Sequence, residues 1–266
     1  MELNRIYNED SRTTMKRMPA NFVDLTVTSP PYDNLRNYHG CDWNFDIFTE
    51  IAAELYRVTK DAGVLVWIVG DSTVDGSETL NSFRQALHFK EIGFSIYDTM
   101  IYQKIGITAP QKPEIRYLHS FEYMFVLCKG NRPKTINLIH QQNFRKTPKA
   151  QYKSKMQRNG NLLKGKFVER EKSPLPNVWL IDSSNGARES SGLHPAAFPE
   201  ILPQRHIYSW TNEGDLVYDP FGGSGTTAKM AHILKRNWIL SEISAEYAAN
   251  AEKRLEPHLT QLDLAI

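Results

Sequence analysis

Two short segments carry residues able to do chemistry. Thr28-Ser29-Pro30-Pro31-Tyr32 ends one apolar run, and Asp219-Pro220-Phe221-Gly222-Gly223-Ser224-Gly225-Thr226 ends another about 190 residues later. In the first, two prolines set φ twice and remove two N–H donors, which leaves carbonyl oxygens uncommitted. Ser29 adds a hydroxyl acceptor and Tyr32 a flat ring. An exocyclic amine on a heteroaromatic base is a poor nucleophile because its lone pair is delocalised. Hydrogen bonds from it to Ser29 Oγ and the Pro30 carbonyl would pull it toward tetrahedral geometry, while Tyr32 stacks on the ring. In-line attack on a methylsulfonium carbon then needs mainly proximity and orientation. The plainer alternative is a strand stopped by a double-proline turn.

The second segment opens a strand–turn–helix–strand unit. Its glycines allow close approach of backbone to a ligand, the helix start offers N–H groups to an anion, and Glu242 ends the next strand. A phosphate-binding loop needs Gly-Lys-Ser/Thr, but the turn reads Gly225-Thr226-Thr227. A dinucleotide fingerprint needs a third glycine that is absent. S-adenosylmethionine fits better, with its amino group near Asp219, its carboxylate at the helix start and its ribose on Glu242. Such turns also serve close packing alone.

These segments can share a site only if the fold brings two strand ends together. Apolar runs at 22–28, 64–69, 94–102, 123–128, 177–181, 216–218 and 237–240 predict strands. Helical patterns occupy 46–59, 79–92, the stretch after His194-Pro195, 226–234 and 245–254, with Asp61-Ala62-Gly63 closing the first by a turn. The alternation argues for an α/β fold with a mostly parallel sheet. Trp43, Trp67 and Trp238 are expected in the core, and Trp179 and Trp210 in packing. His119 and His194 are read as structural histidines, and Cys41 and Cys128 as structural cysteines. No metal-ligand spacing occurs.

The chain has 266 residues and a net charge of +2, unevenly spread. Lys129 to Ser173 holds thirteen Lys/Arg and two Asp/Glu, a surplus of eleven positive charges, so the remainder carries −9. Such a block is either a solvated loop or a polyanion-binding surface. No apolar run reaches a membrane-spanning length and the start lacks a signal-peptide stretch, so a cytoplasmic protein without a membrane partner is expected. Two cysteines fit a reducing compartment.

Taken together, the motifs resemble the β group of DNA amino-methyltransferases, bacterial and phage enzymes that methylate exocyclic nitrogens. Thr28 to Tyr32 matches the catalytic motif, and Asp219 to Thr227 the cofactor turn. Asn8-Glu9-Asp10 is similar to an acidic element near the cofactor's adenine, and His119-Ser120-Phe121-Glu122-Tyr123 to a strand lining the target-base pocket. His194 to Pro199 resembles the helix opening over the methionine end. Ser241-Glu242-Ile243 with Tyr247 and Arg254 resembles the ribose-binding acid and its following helix.

The resemblance implies a circularly permuted, seven-stranded Rossmann-like sheet. Residues 1–128 would form the catalytic half, 129–176 an inserted basic target-recognition region, and 177–266 the cofactor half. It implies catalytic roles for Ser29, Pro30, Pro31 and Tyr32. Cofactor contacts would come from Asp10, Thr28, Asp219, Phe221, Gly223, Ser224, Gly225, Thr226 and Glu242. The substrate would be double-stranded DNA with the target base flipped out. Within the family Ser29 leans toward the 4-amino group of cytosine, with the 6-amino group of adenine as the alternative. An RNA methyltransferase and a non-catalytic DNA-binding relative are further alternatives. A cognate restriction endonuclease and a monomer or homodimer are the expected associations.

Overall fold

The computed structural model describes residues 1–31, 43–105, 116–142, 154–156, 159–164, 171–189 and 197–262. Tyr32, Cys41 and His194 lie outside the described residues. Those described form two compact units, Met1–Asn137 with Asn177–Ile266, and Leu138–Pro176.

The larger unit is built on a sheet of eight strands, one more than the family resemblance implies. They are β1 (Arg5–Tyr7), β2 (Val23–Thr28), β3 (Thr59–Val69), β4 (Ser95–Ile105), β5 (Phe121–Cys128), β6 (Val178–Asp182), β7 (Leu216–Asp219) and β8 (Asn237–Ser241). The spatial order is β1-β8-β7-β2-β3-β5-β4-β6. Every neighbouring pair is parallel except the two made by β5, which runs against β3 and β4. The three-residue β1 is too short to show an apolar period and was not visible in the sequence.

The helices are α1 (Ser11–Arg17), α2 (Phe45–Val58), α3 (Asn81–Glu91), α4 (Ser184–Glu189), α5 (Ile201–Trp210), α6 (Thr226–Ile233) and α7 (Ala245–Leu262). Apolar residues at helical spacing sort six of them onto the two faces of the sheet. Met15, Phe48, Ile51, Leu55 and Phe89 of α1, α2 and α3 pack on one face with Leu65, Trp67 and Phe125. Leu202, Ile207, Ala228, Ala231, Ala251 and Leu255 of α5, α6 and α7 pack on the other with Val27, Val126 and Trp238. The central strands are covered on both sides, which is why β2 and the end of β3 read as continuous apolar runs.

Two local departures from the expected pattern have clear causes. The turn expected at Asp61-Ala62-Gly63 is a bulge within β3: Val23 faces Thr59, yet Leu25 already faces Val64. Lys129 and Lys134 close this bulge through backbone bonds with Gly63 and Ala62, and Lys129 Nζ also reaches Thr59 O at 2.9 Å. The first lysines of the basic stretch therefore belong to the larger unit. Trp67 and Trp238 are buried as expected, as are Trp179 and Trp210, whereas Trp43 is half-buried.

The smaller unit contains two antiparallel ribbons, His140–Gln142 with Lys172–Pro174 and Ser154–Met156 with Leu162–Lys164. Among the described residues no helix is long and apolar enough to cross a membrane.

The turn from β7 into α6 is packed as tightly as the core. A Cβ on Gly222 would sit 2.0 Å from Leu240 Cδ2 and 2.2 Å from Leu240 Cγ, inside a fully buried side chain. Gly222→Ala should therefore overpack the junction and destabilise the protein by about 1–3 kcal/mol, measured by denaturant unfolding. An unchanged unfolding midpoint would show that the turn moves freely.

Candidate active site

The chain leaves β2 toward β3 through α2, and it leaves β7 toward β8 through α6. The two connections run to opposite sides of the β2–β7 pair and cover opposite faces. That makes the pair the switch point of a doubly wound sheet, where a crevice opens beyond the carboxyl ends of the strands. Thr28 ends β2 and Asp219 ends β7. The Thr28 hydroxyl donates to Asp219 Oδ1 at 2.6 Å across 191 positions of sequence, and both side chains are buried.

Asp219 Oδ1 also accepts the Phe221 N–H at 3.0 Å, which sets the entry into the glycine turn. Burial pushes the Asp219 carboxyl above its ordinary range, and bonds from Thr28, Thr227 and Phe221 oppose that shift. Glu242, at the end of β8, is likewise buried and raised, with donors at both of its oxygens. Gly223 N–H donates to Oε2 and Ser244 N–H to Oε1, each at 2.8 Å. Each carboxylate oxygen keeps further acceptor capacity, so both can serve a diol.

The turn itself shows the close packing that was one of its two readings. Gly223 and Gly225 have φ of 50° and 76°, conformations suited to glycine. Gly225, however, faces Ala251 of α7, where a Cβ would lie 3.0 Å from the alanine Cβ. Like Gly222, it serves close packing within the protein. What α6 presents outward is its N-terminus, where among the described residues no side chain supplies a cap. Its first-turn N–H groups lack intrahelical acceptors and suit an anion.

Ser224 and Thr226, both buried, are held from below by Arg254. Phe221 is half-buried, its ring edge-on to Trp43 at 5.4 Å and to Trp67 at 6.2 Å. Ser29 and Pro31 are half-buried and Pro30 is buried, directly after Thr28.

Asp10 stands apart in kind. Its carboxylate caps α1 by accepting Arg12 N–H at 2.8 Å and pairs with the Arg12 guanidinium at 2.7 Å, which lowers its pKa. Neighbouring Asn8 and Glu9 are also engaged. Asn8 Nδ2 donates to the Glu242 carbonyl at 2.8 Å, and Glu9 accepts from Thr14 at 2.7 Å and from Arg17. The acidic element thus anchors the Glu242 turn to β1, a role signalled in sequence only by the asparagine.

Other titratable groups take structural parts. Burial drives His206 down to about 3, so it is neutral where Trp210 Nε1 donates to it at 3.3 Å. Burial raises the Cys128 thiol to about 11, which makes it a poor nucleophile. His119 packs at a tilt against Phe121, whose ring meets Tyr123, at the amino end of β5 beside the carboxyl end of β3. Among the described residues no group of three His, Cys, Asp or Glu side chains could hold a metal ion.

A cation beside Asp219, hydroxyls on Glu242 and an anion at α6 make a matched set of partners for an amino-acid nucleoside. The donor and acceptor set therefore fits S-adenosylmethionine.

Two predictions follow from the buried acids. Thr28→Val removes a donor from a buried carboxylate and should cost about 1–3 kcal/mol in unfolding free energy. The raised Asp219 favours its protonated form in the folded state. Its contribution is fully present below the unfolded value of about 4 and is lost as pH rises through the folded value. Asp219→Asn keeps an acceptor for Thr28 and Phe221 but cannot ionise. Its melting temperature minus that of the parent should grow from about pH 4 to about pH 8; a flat difference would contradict a raised carboxyl.

Comparison with known proteins bears on this site directly. Residues 23–253 match the model of a family described as DNA methylase, the N6/N4 methyltransferases. The orphan methyltransferase M.BamHII of Bacillus amyloliquefaciens is 50% identical over 254 residues, covering 89% of this chain and 90% of that protein. The DNA adenine methyltransferase YhdJ of Escherichia coli is 27% identical over 275 residues, covering 96% and 83%. Among solved structures, the cytosine-N4-specific PvuII DNA methyltransferase superposes with a TM-score of 0.68 at 23% identity, over 94% of this chain and 85% of that one. The chain accordingly belongs to the N6/N4 family of DNA methylases.

Proposed function

We propose that this protein transfers a methyl group from S-adenosylmethionine to the exocyclic 4-amino group of a cytosine flipped out of double-stranded DNA. The observation that supports this reading is the 2.6 Å bond between Thr28 and Asp219, which joins the strand ends that lead into the Ser29-Pro30-Pro31 turn and the glycine turn. S-adenosylmethionine, when bound, supplies an electrophilic methyl group on a sulfonium.

The chain's residues do the positioning. Asp219, ionised by proximity to a cationic amino group, holds the amino-acid end. The N-terminus of α6, with Ser224 and Thr226, takes the carboxylate, and Glu242 accepts from the ribose hydroxyls. Ser29 Oγ and the Pro30 carbonyl accept N–H bonds from the target amine and localise its lone pair. The family resemblance gives Tyr32, outside the described residues, the role of stacking on the base. Attack of the amine nitrogen on the methyl carbon breaks the carbon–sulfur bond. The resulting cationic methylamine then loses a proton to water. No covalent enzyme intermediate is needed, in keeping with the buried, protonated Cys128.

Cytosine is favoured by Ser29, through the family resemblance. The 27% identity to an adenine methyltransferase supports the second reading, adenine-N6 methylation on the same site. The positive stretch from Lys129 to Ser173 supports a DNA-reading role for the unit Leu138–Pro176. A relative at 50% identity is an orphan methyltransferase, and on that ground we read this chain as acting without a dedicated nuclease.

Incubation with labelled S-adenosylmethionine and duplex DNA, then nucleoside digestion and mass spectrometry, should yield 4-methylcytosine. Label in 6-methyladenine alone would replace the base assignment, and label only in RNA would overturn the substrate. Ser29→Ala should lower kcat by about 10²-fold, the scale of losing one polar contact to the reacting centre. S-adenosylmethionine affinity in calorimetry should stay within about twofold, because Ser29 faces the base. Full activity in that variant would remove Ser29 from the mechanism.

A further inference from the structure

The turn between β7 and α6 rests on Arg254, which the sequence motifs place only on the helix after the second acid. Arg254 projects from α7 beneath the turn with its side chain only 9% exposed. Its Nη1 lies 3.0 Å from Ser224 O, 3.1 Å from Ser224 Oγ and 2.8 Å from Thr226 Oγ1. Its Nη2 donates to Glu200 Oε1 at 2.6 Å, and Lys229 reaches the same oxygen at 2.7 Å. Its Nε is buried with no hydrogen-bond partner among the described residues, so the two terminal nitrogens set the plane of the group.

A guanidinium donates and never accepts. Its Nη1 shares two hydrogens among these three oxygens, and neither hydroxyl can donate back to it, so both hydroxyl hydrogens must point elsewhere. Ser224 Oγ and Thr226 Oγ1 are 3.2 Å apart, so one hydroxyl hydrogen can satisfy the other oxygen. The second hydrogen is left over, at the start of α6 where uncapped N–H groups also point. We propose that Arg254 is a positioning residue that orients the Ser224–Thr226 hydroxyl pair so that its one remaining hydrogen is donated to the carboxylate of the methyl donor. Glu200, oriented by Lys229, fixes the guanidinium for that task. The inference rests on the reading that this carboxylate sits at the start of α6.

The test uses two ligands that differ at the amino-acid end. S-adenosylhomocysteine carries the carboxylate, and 5′-methylthioadenosine lacks the whole amino-acid head group. Arg254→Met should weaken S-adenosylhomocysteine binding in calorimetry by about tenfold or more, and 5′-methylthioadenosine binding by less than about twofold. Thr226→Val should show the same selective loss, and the double variant should lose no more than the larger single loss. Arg254→Lys, which keeps the charge but not the fork, should fall between.

Equal losses for both ligands would overturn the proposal and make Arg254 only a part of the fold. No loss for either would overturn it as well. If Arg254→Met does not fold, Thr226→Val and Arg254→Lys decide by the same two ligands. Failure of the parent protein to bind S-adenosylhomocysteine would instead overturn the cofactor reading beneath it.

Discussion

A single hydrogen bond between two strand ends organises this protein. Thr28 and Asp219 are neighbours because β2 and β7 are parallel and adjacent, and the sheet diverges from that pair in both directions. A doubly wound sheet can leave a crevice at such a point because the helices that follow the two strands cover opposite faces. The proposed base side and amino-acid side of the reaction hang on the turns that leave these two strands. The base-side turn follows Thr28 directly, and the cofactor-side turn follows Asp219.

The buried acids of the site are held in a costly state. Asp219 and Glu242 both carry raised pKa values because burial disfavours their charge. Each is kept usable by donated hydrogen bonds, from Thr28 and Phe221 to one and from Gly223 and Ser244 to the other. A cationic amino group near Asp219 would supply the missing charge, so ligand binding and ionisation reinforce each other. The glycines contribute differently from what a ligand-cradling loop requires. Gly222 and Gly225 admit Leu240 and Ala251, so they lock the turn to the β8 and α7 layers. Rigidity at this turn, rather than open space, is their contribution.

Much of this was legible in the residues. Strands of continuous apolar character, such as Val64 to Val69, could be placed because burial on both faces leaves no polar position. Ser29-Pro30-Pro31 and the Asp219 turn stood out because proline and glycine restrict the backbone in recognisable ways. Short or polar contributors did not stand out. Arg5–Tyr7 is three residues long, and the Ala62 bulge hides inside a strand. Arg254 was singled out on the helix after Glu242, but its fork against Ser224, Thr226 and Glu200 shows only in the folded chain. Asp10 read as a ligand-facing acid, and the fold adds that its carboxylate also pairs with Arg12 and caps α1.

Residue types and their order were enough for the chemistry class: a double-proline turn after a strand, an acid, a glycine turn and a second acid, in an order that resembles the methylases. Those are local properties, set by which backbone conformations and hydrogen bonds each side chain permits. The assembly of those parts was not local. Strand adjacency across 191 positions comes from how helices divide between two faces, a balance of burial over the whole sheet. The direction in which Arg254 points its fork comes from the same packing, because α7 places it under a turn that lies thirty positions earlier in the chain.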